Sequence, residues 1–228
     1  MGTILQIETA TSVCSVALSV DGKTIAIKEE KAQNIHASSL TLFIEEVIKS
    51  AGINYANLDA IAVSKGPGSY TGLRIGVSTA KGLCFALDKP LIAINTLKMM
   101  ASGYLDQHPN FGGLICPMID ARRMEVFTAV FDHDLAEVQH THAKIIDEKS
   151  FAPELQNHFV VFIGDGAEKC RTTLDHPNGH FYSQNFNSAA LMSKLAFECY
   201  LSKSFEDVAY FEPFYLKDFV LTTPKKKV

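Results

Sequence analysis

The sequence is poor in the features that mark secreted, membrane and disulfide-built proteins. No run of apolar residues approaches the ~20 that a membrane span needs. The five cysteines (Cys14, Cys84, Cys116, Cys170, Cys199) are odd in number, scattered, and form no CxxC pair. That usage fits a reducing cytoplasm. Cys84 and Cys199 fall in apolar periodic runs and read as core. An excess of positive charge is also missing: 21 Lys and Arg against 25 Asp and Glu leave a net charge of -4. The field of the whole chain therefore favours neither nucleic acid nor an anionic membrane. The exception is Lys225, Lys226 and Lys227, which read with residues 222–228 as a solvated, disordered tail. The opening MGTILQIETAT has no basic region and only a short apolar stretch, so it predicts a first strand and not a signal peptide. Gln6 stands where a myristoylation signal wants Ser or Thr.

What is present is an apolar chain of 228 residues, 47% hydrophobic, enough for one large domain or two small lobes. Strands are predicted over 3–8, 14–20 and 24–30, the last two joined by the hairpin signal Asp21-Gly22. A helix over 35–51 carries Leu40, Phe43, Ile44, Val47 and Ala51 on one face and ends at Gly52. Residues 60–64 form a strand buried on both sides. The loop KGPGSYTGLRIG (65–76) leads into a helix over 70–87. A strand over 90–95 and a helix over 96–105, capped by Thr96, complete the half. The order then restarts: strands over 114–119, 125–131 and 137–146, a short helix over 149–157, a strand over 159–163, the turn GDGA with a helical stretch to Leu174, a strand over 180–183, and a helix over 189–203. The same element order twice, with glycine turns at matching places, predicts an α/β protein of two lobes. Each lobe has a mixed sheet flanked by helices. The expected boundary puts residues 1–106 in one lobe and 107–228 in the other, with the C-terminal helix able to pack back on the first.

This order and these residues resemble the superfamily of acetate kinase, seventy-kilodalton heat-shock proteins and actin, with its duplicated ribonuclease H-like fold. Within it, the closer resemblance is to the TsaB (YeaZ-type) family. The motifs that carry it are IETAT (7–11), KGPGSYTGLRIG with VSTAKGLCFALDKPLIAINTL after it, IDARR (119–123) followed by EVF, and EPFYL (212–216). The resemblance implies a non-catalytic scaffold subunit in the cytoplasm. It would pair with TsaD, which transfers a threonylcarbamoyl group to the N6 of adenosine 37 in tRNAs reading ANN codons, and with the ATPase TsaE. It implies a homodimer when alone, contact with tRNA only through the complex, no membrane, and no cofactor of its own.

The loop is not a P-loop, which needs GxxxxGK[ST]; Gly72 is followed by Leu73 and Arg74. Two readings stay open for Gly66, Gly68, Ser69, Thr71, Gly72 and Arg74. They present N–H groups to an anion at a helix N-terminus, or the glycines allow a tight turn and close strand–helix packing. Catalytic relatives hold a metal with an HxxxH pair just after the strand over 90–95; here that segment reads NTLKMM, so no metal is expected. HPNGH (176–180) has the spacing, but its interior is a turn, which cannot stack two imidazoles as a helix does. His140 and His142 alternate on a strand and read as an exposed pair, and His36 as a surface or interface residue in the first turn of a helix. Glu8 and Asp120 end the first strand of each half, so the repeat brings both toward one cleft. That keeps a second function open: a free-standing nucleotide-binding or hydrolysing enzyme, with weak ATP or ADP binding and magnesium only alongside it. Against it, Arg122 and Arg123 stand close enough to Asp120 to neutralise it.

The helix after the loop is apolar on two sides. Leu73, Val77, Ala80, Cys84 and Leu87 form a stripe toward the sheet. Thr71, Ile75, Thr79, Gly82 and Ala86 form a second stripe of mostly small residues where a surface helix should be charged. Leu42 stands opposite the core face of the preceding helix. Such a stripe lets another helix approach closely. It is covered by a helix of the same chain, or it meets a partner: TsaD or a second copy.

Overall fold

The computed structural model describes residues 1–32, 35–182, 184 and 186–217. The expected tail over 222–228, with its three lysines, lies outside the described residues, as does Ser183.

The first half builds a five-stranded sheet from β1 (Thr3–Glu8), β2 (Val13–Val20), β3 (Lys23–Lys31), β4 (Ala60–Gly66) and β5 (Leu91–Asn95), in the order β3-β2-β1-β4-β5. β1 and β2 are antiparallel, with Glu8 opposite Ser15, whereas β1 and β4 are parallel, with Ile7 opposite Val63. The β2–β3 hairpin turns on Asp21 and Gly22, both at positive φ (49° and 77°), as a two-residue turn between right-twisted strands requires. The second half repeats the plan with β6 (Leu114–Asp120), β7 (Glu125–Phe131), β8 (Glu137–Ile145), β9 (Val160–Ile163) and β10 (Gly179–Tyr182), in the order β10-β9-β6-β7-β8. In each half a three-stranded meander is followed by two strands added parallel to its first.

Five α-helices sandwich these sheets: α1 (His36–Ser50), α2 (Tyr70–Leu87), α3 (Thr96–Gln107), α4 (Ala152–Asn157) and α5 (Ser193–Leu201). Strand alternation sends Leu5, Ile7, Ile61 and Val63 to one face of the first sheet, where Leu40, Ile44 and Val47 of α1 and Val77 and Cys84 of α2 cover them. Ile4, Ala62 and Ile94 take the other face. They share one apolar cluster with Leu97 and Met100 of α3, Leu195 and Ala196 of α5, and Ile119, Phe127 and Ile163 of the second sheet. Each such side chain, fully buried, is worth about 1.5–3 kcal/mol. α5, from the end of the chain, thus packs on the first sheet.

Three local expectations are corrected. The cap of α3 is Asn95, whose side chain accepts from the N–H groups of Leu97 (2.9 Å) and Lys98 (3.1 Å); Thr96 is the first helical residue. The helical stretch to Leu174 is only a 3₁₀ turn at Glu168–Cys170, since a β-branched pair (Thr172, Thr173) and Pro177 follow it. The last helix divides into a 3₁₀ turn at Ala189–Met192 and α5.

Candidate functional site

The glycine loop between β4 and α2 is filled by its own chain. The N–H of Ser69 donates to the carbonyl of Ala10 at 2.6 Å, and the hydroxyl of Thr9 donates to the carbonyl of Gly72 at 2.8 Å. A Cβ would stand 2.3 Å from Ala10 O at Gly68, 2.1 Å from Thr9 O at Gly72 and 2.2 Å from Thr9 Oγ1 at Gly76. The glycines are there because the end of β1 lies against the start of α2. Ser69 caps α2, its hydroxyl accepting from Gly72 N at 3.3 Å. The N–H groups of Ser69 and Gly72 are therefore already engaged. Gly66 (φ 113°) ends β4, and Gly164 (φ 100°) follows β9 at the equivalent place. There Gly166 N donates to Met118 O within β6 at 3.0 Å.

Between the strand ends lies a cleft of about 990 Å³. Thr11, Ser69 and Gly72 line it from the first half, Asp120, Arg122 and Phe127 from the second, and Tyr215 and Lys217 from the C-terminal segment. That segment is strapped down along its length. Lys81 Nζ donates to Phe211 O (2.9 Å), Phe214 N to Lys65 O (2.7 Å), and Lys217 pairs with Glu125. Arg74 lies over the ring of Tyr70, 4.2 Å from its centroid, and its Nε donates to Tyr215 Oη at 3.3 Å, so the strap holds it.

Asp120 lies in the cleft, but its neutraliser is Lys169, which forms an ion pair with it. Arg122 contributes a backbone N–H at 2.8 Å and a weaker pull of its charge, and Arg123 no side-chain hydrogen bond or ion pair among the described residues. Burial pushes the Asp120 carboxyl up, yet Lys169 and the Arg122 N–H outweigh it and hold the pKa below the ordinary value. Lys169 was missed because it reaches Asp120 from the 3₁₀ turn; its only sequence signal is its place just after GDGA.

Glu8 does not line the cleft. It sits on the inner face of β1, fully buried, because residues 9–11 turn into the glycine loop and close over it. Its Oε1 accepts from Ala10 N at 2.5 Å, and the Thr9 N–H and the Ser64 hydroxyl lie beside the carboxyl. Burial dominates and pushes its pKa to about 7. His36 is likewise buried, its Nε2 2.7 Å from Thr11 O, which corrects the surface reading. The contact gives a partner to the Thr11 carbonyl, which lies in the turn between β1 and β2 and outside the sheet ladder.

His140 pairs with Glu137 at 2.7 Å, and His176 Nδ1 accepts from Asn178 N within its turn. Among the described residues, no three His, Cys, Asp or Glu side chains gather where they could hold a metal ion.

Along α2, Leu73, Val77, Ala80 and Cys84 are buried and Leu87 half-buried. On the other side Thr71, Gly82 and Ala86 are exposed and Ile75 and Thr79 half-buried. Among the described residues no atom of another element lies within 4 Å of where a Cβ on Gly82 would stand, so none of the described helices covers that position. Leu42 on α1 is 60% exposed. Phe85 (87% exposed) and Tyr210 (85%) extend the apolar surface and were not anticipated.

A protein-family model described as TsaD, tRNA N6-adenosine threonylcarbamoyltransferase, matches residues 26–220. The chain is 32% identical to the tRNA threonylcarbamoyladenosine biosynthesis protein TsaB of Haemophilus influenzae, over 95% of this chain and 94% of that protein. The solved structure of YeaZ from Pseudomonas aeruginosa superposes with a TM-score of 0.81 at 25% identity, over 95% of this chain and 100% of that one. An activator of 2-hydroxyisocaproyl-CoA dehydratase from Clostridium difficile, with bound ADPNP, superposes with a TM-score of 0.52 at 10% identity, over 89% and 97%. With the repeated sheet order, these likenesses give a duplicated actin-like ATPase fold.

Proposed function

The chain belongs to the TsaB (YeaZ-type) family of tRNA threonylcarbamoyladenosine biosynthesis proteins, and from that premise we propose that it is an accessory, non-catalytic subunit of that process. Its place is in the cytoplasm, paired with a TsaD-like catalytic subunit and joined by a TsaE-like ATPase. The observation that carries this reading is the outer side of α1 and α2. These helices pack side by side and leave Leu42, Gly82, Phe85 and Ala86 exposed. Apolar side chains around a bare glycine suit close approach of another helix. The same face would serve a homodimer when the partner is absent.

The cleft supports the accessory role. Of its two expected acids, Glu8 is sealed in the core and Asp120 is tied to Lys169, so neither is free to take a proton from a substrate. On this reading ATP or ADP binds there weakly at most, with magnesium only beside it.

The test is a pull-down of the tagged chain from its source cell, with mass spectrometry, beside the variant Gly82→Arg. Recovery of the TsaD-like and TsaE-like proteins by the wild type, and their loss from a folded Gly82→Arg, is the expected result. Equal recovery by the variant overturns the face. Absence of both proteins from the wild-type sample overturns the subunit role.

A further inference from the structure

The turn between β6 and β7 holds two successive arginines in the left-handed region, Arg122 at φ 70° and Arg123 at φ 51°. Left-handed backbone crowds a Cβ against the neighbouring carbonyl, and turns that need it take Gly, Asn or Asp. Two arginines here break that rule, and their own chain does not explain them. Among the described residues neither guanidinium has an ion pair or a hydrogen bond; Arg122 acts on Asp120 through its backbone N–H and, more weakly, through its charge. Of the neighbouring acids, Asp120 pairs with Lys169 and Glu125 with Lys217, while Asp165 accepts from Asp120 N and has no ion pair among the described residues. Two arginines against that one carboxylate leave a small local surplus of positive charge on a chain of net charge -4.

Their position adds to this. Arg122 lines the cleft with Lys217, and both arginines are exposed. A guanidinium offers a planar fork of donors that matches phosphate, and strained backbone is retained where side chains must be aimed outward at a ligand.

We propose that the β6–β7 turn is a contact for the phosphate backbone of RNA, with Arg122 and Arg123 as its anion-binding side chains. RNA is favoured over an acidic protein segment because this family's process acts on tRNA, a premise shared with the function proposed above. The contact positions the RNA without reading its sequence.

Glycine is at ease at both φ values, so Arg122→Gly with Arg123→Gly removes the guanidiniums and relieves strain. The probe is an unmodified tRNA transcript, its binding to the full chain followed by fluorescence anisotropy at low and moderate salt. The double glycine variant should fold with an unchanged or higher Tm, bind about tenfold more weakly at low salt, and lose roughly two from its salt slope. The Lys pair at the same positions should retain most of the affinity. Equal affinity and slope in the double glycine variant overturn the proposal, as does a wild type that binds no tRNA at low salt. If polyglutamate binds as well as tRNA and is lost in the same variant, the ligand is an acidic protein segment and the RNA assignment fails. Capture of the TsaD-like protein should not change in this variant, so failure of the pull-down and failure of the RNA contact are separate results.

Discussion

Thr9 and Gly72 are interlocked: the threonine hydroxyl donates to the Gly72 carbonyl at 2.8 Å, and the Thr9 carbonyl lies 2.1 Å from where a Cβ on Gly72 would stand. The end of the first strand is thereby fastened to the first turn of α2. The glycine-rich loop is shaped by that contact.

Gly72→Ala should accordingly cost about 2–4 kcal/mol, since the obstructing atom is backbone and cannot swing aside. Gly82→Ala, on the same helix with open space around it, should gain about 0.5–1 kcal/mol from helix propensity. Urea denaturation of both variants checks the pair. Effects of the same sign would show that close packing does not distinguish the two glycines.

Glu8 should make stability fall as pH rises through a defined window. Its folded pKa is about 7 against an ordinary 4.5. Between these values the folded chain holds a proton that the unfolded chain has released, so stability declines with rising pH and levels off above about 7. The gap corresponds to roughly 3 kcal/mol. Glu8→Gln should remove that slope and be the more stable protein at pH 8. Parallel curves for wild type and Glu8→Gln from pH 5 to 8 would contradict it.

The α1–α2 face should be dispensable for folding and needed for association. Phe85→Ser should change stability by no more than about 0.5 kcal/mol, because the ring is 87% exposed. In sedimentation the variant should run as a smaller species than the wild type at the same concentration. An unchanged sedimentation profile would place self-association elsewhere.

The thiols should be inert in the folded chain. Burial pushes Cys14 to about 11 and Cys84 and Cys116 to about 12, and raises Cys170 and Cys199 as well. Titration with an aromatic disulfide at pH 8 should modify at most half-buried Cys199 before unfolding, and all five cysteines after it. Rapid labelling of two or more in the native state would count against this packing.

Much of the fold was legible because its signals are local. Asp21-Gly22 specifies its hairpin, the small apolar run over 60–64 a strand buried on both sides, and the spacing of Leu40, Phe43, Ile44 and Val47 a helix with one buried side. The site was less legible. Glu8 and Asp120 hold equivalent positions in the two halves, so the repeat implied equivalent roles. Residues 9–11 fold over Glu8 and the β6–β7 turn leaves Asp120 open, a difference in chain path that spacing does not contain. Lys169, 49 positions from Asp120, was invisible for the same reason.

The sequence by itself determined the order of elements, their duplication and the family, all of which follow from periodicity, turn residues and motifs within short windows. Only the tertiary structure decided which acid is buried, which cation neutralises the other, what fills the glycine loop and which helix face stays bare. Each of those depends on desolvation or contact between residues far apart in the chain, and such energies exist only once those distant segments have packed together.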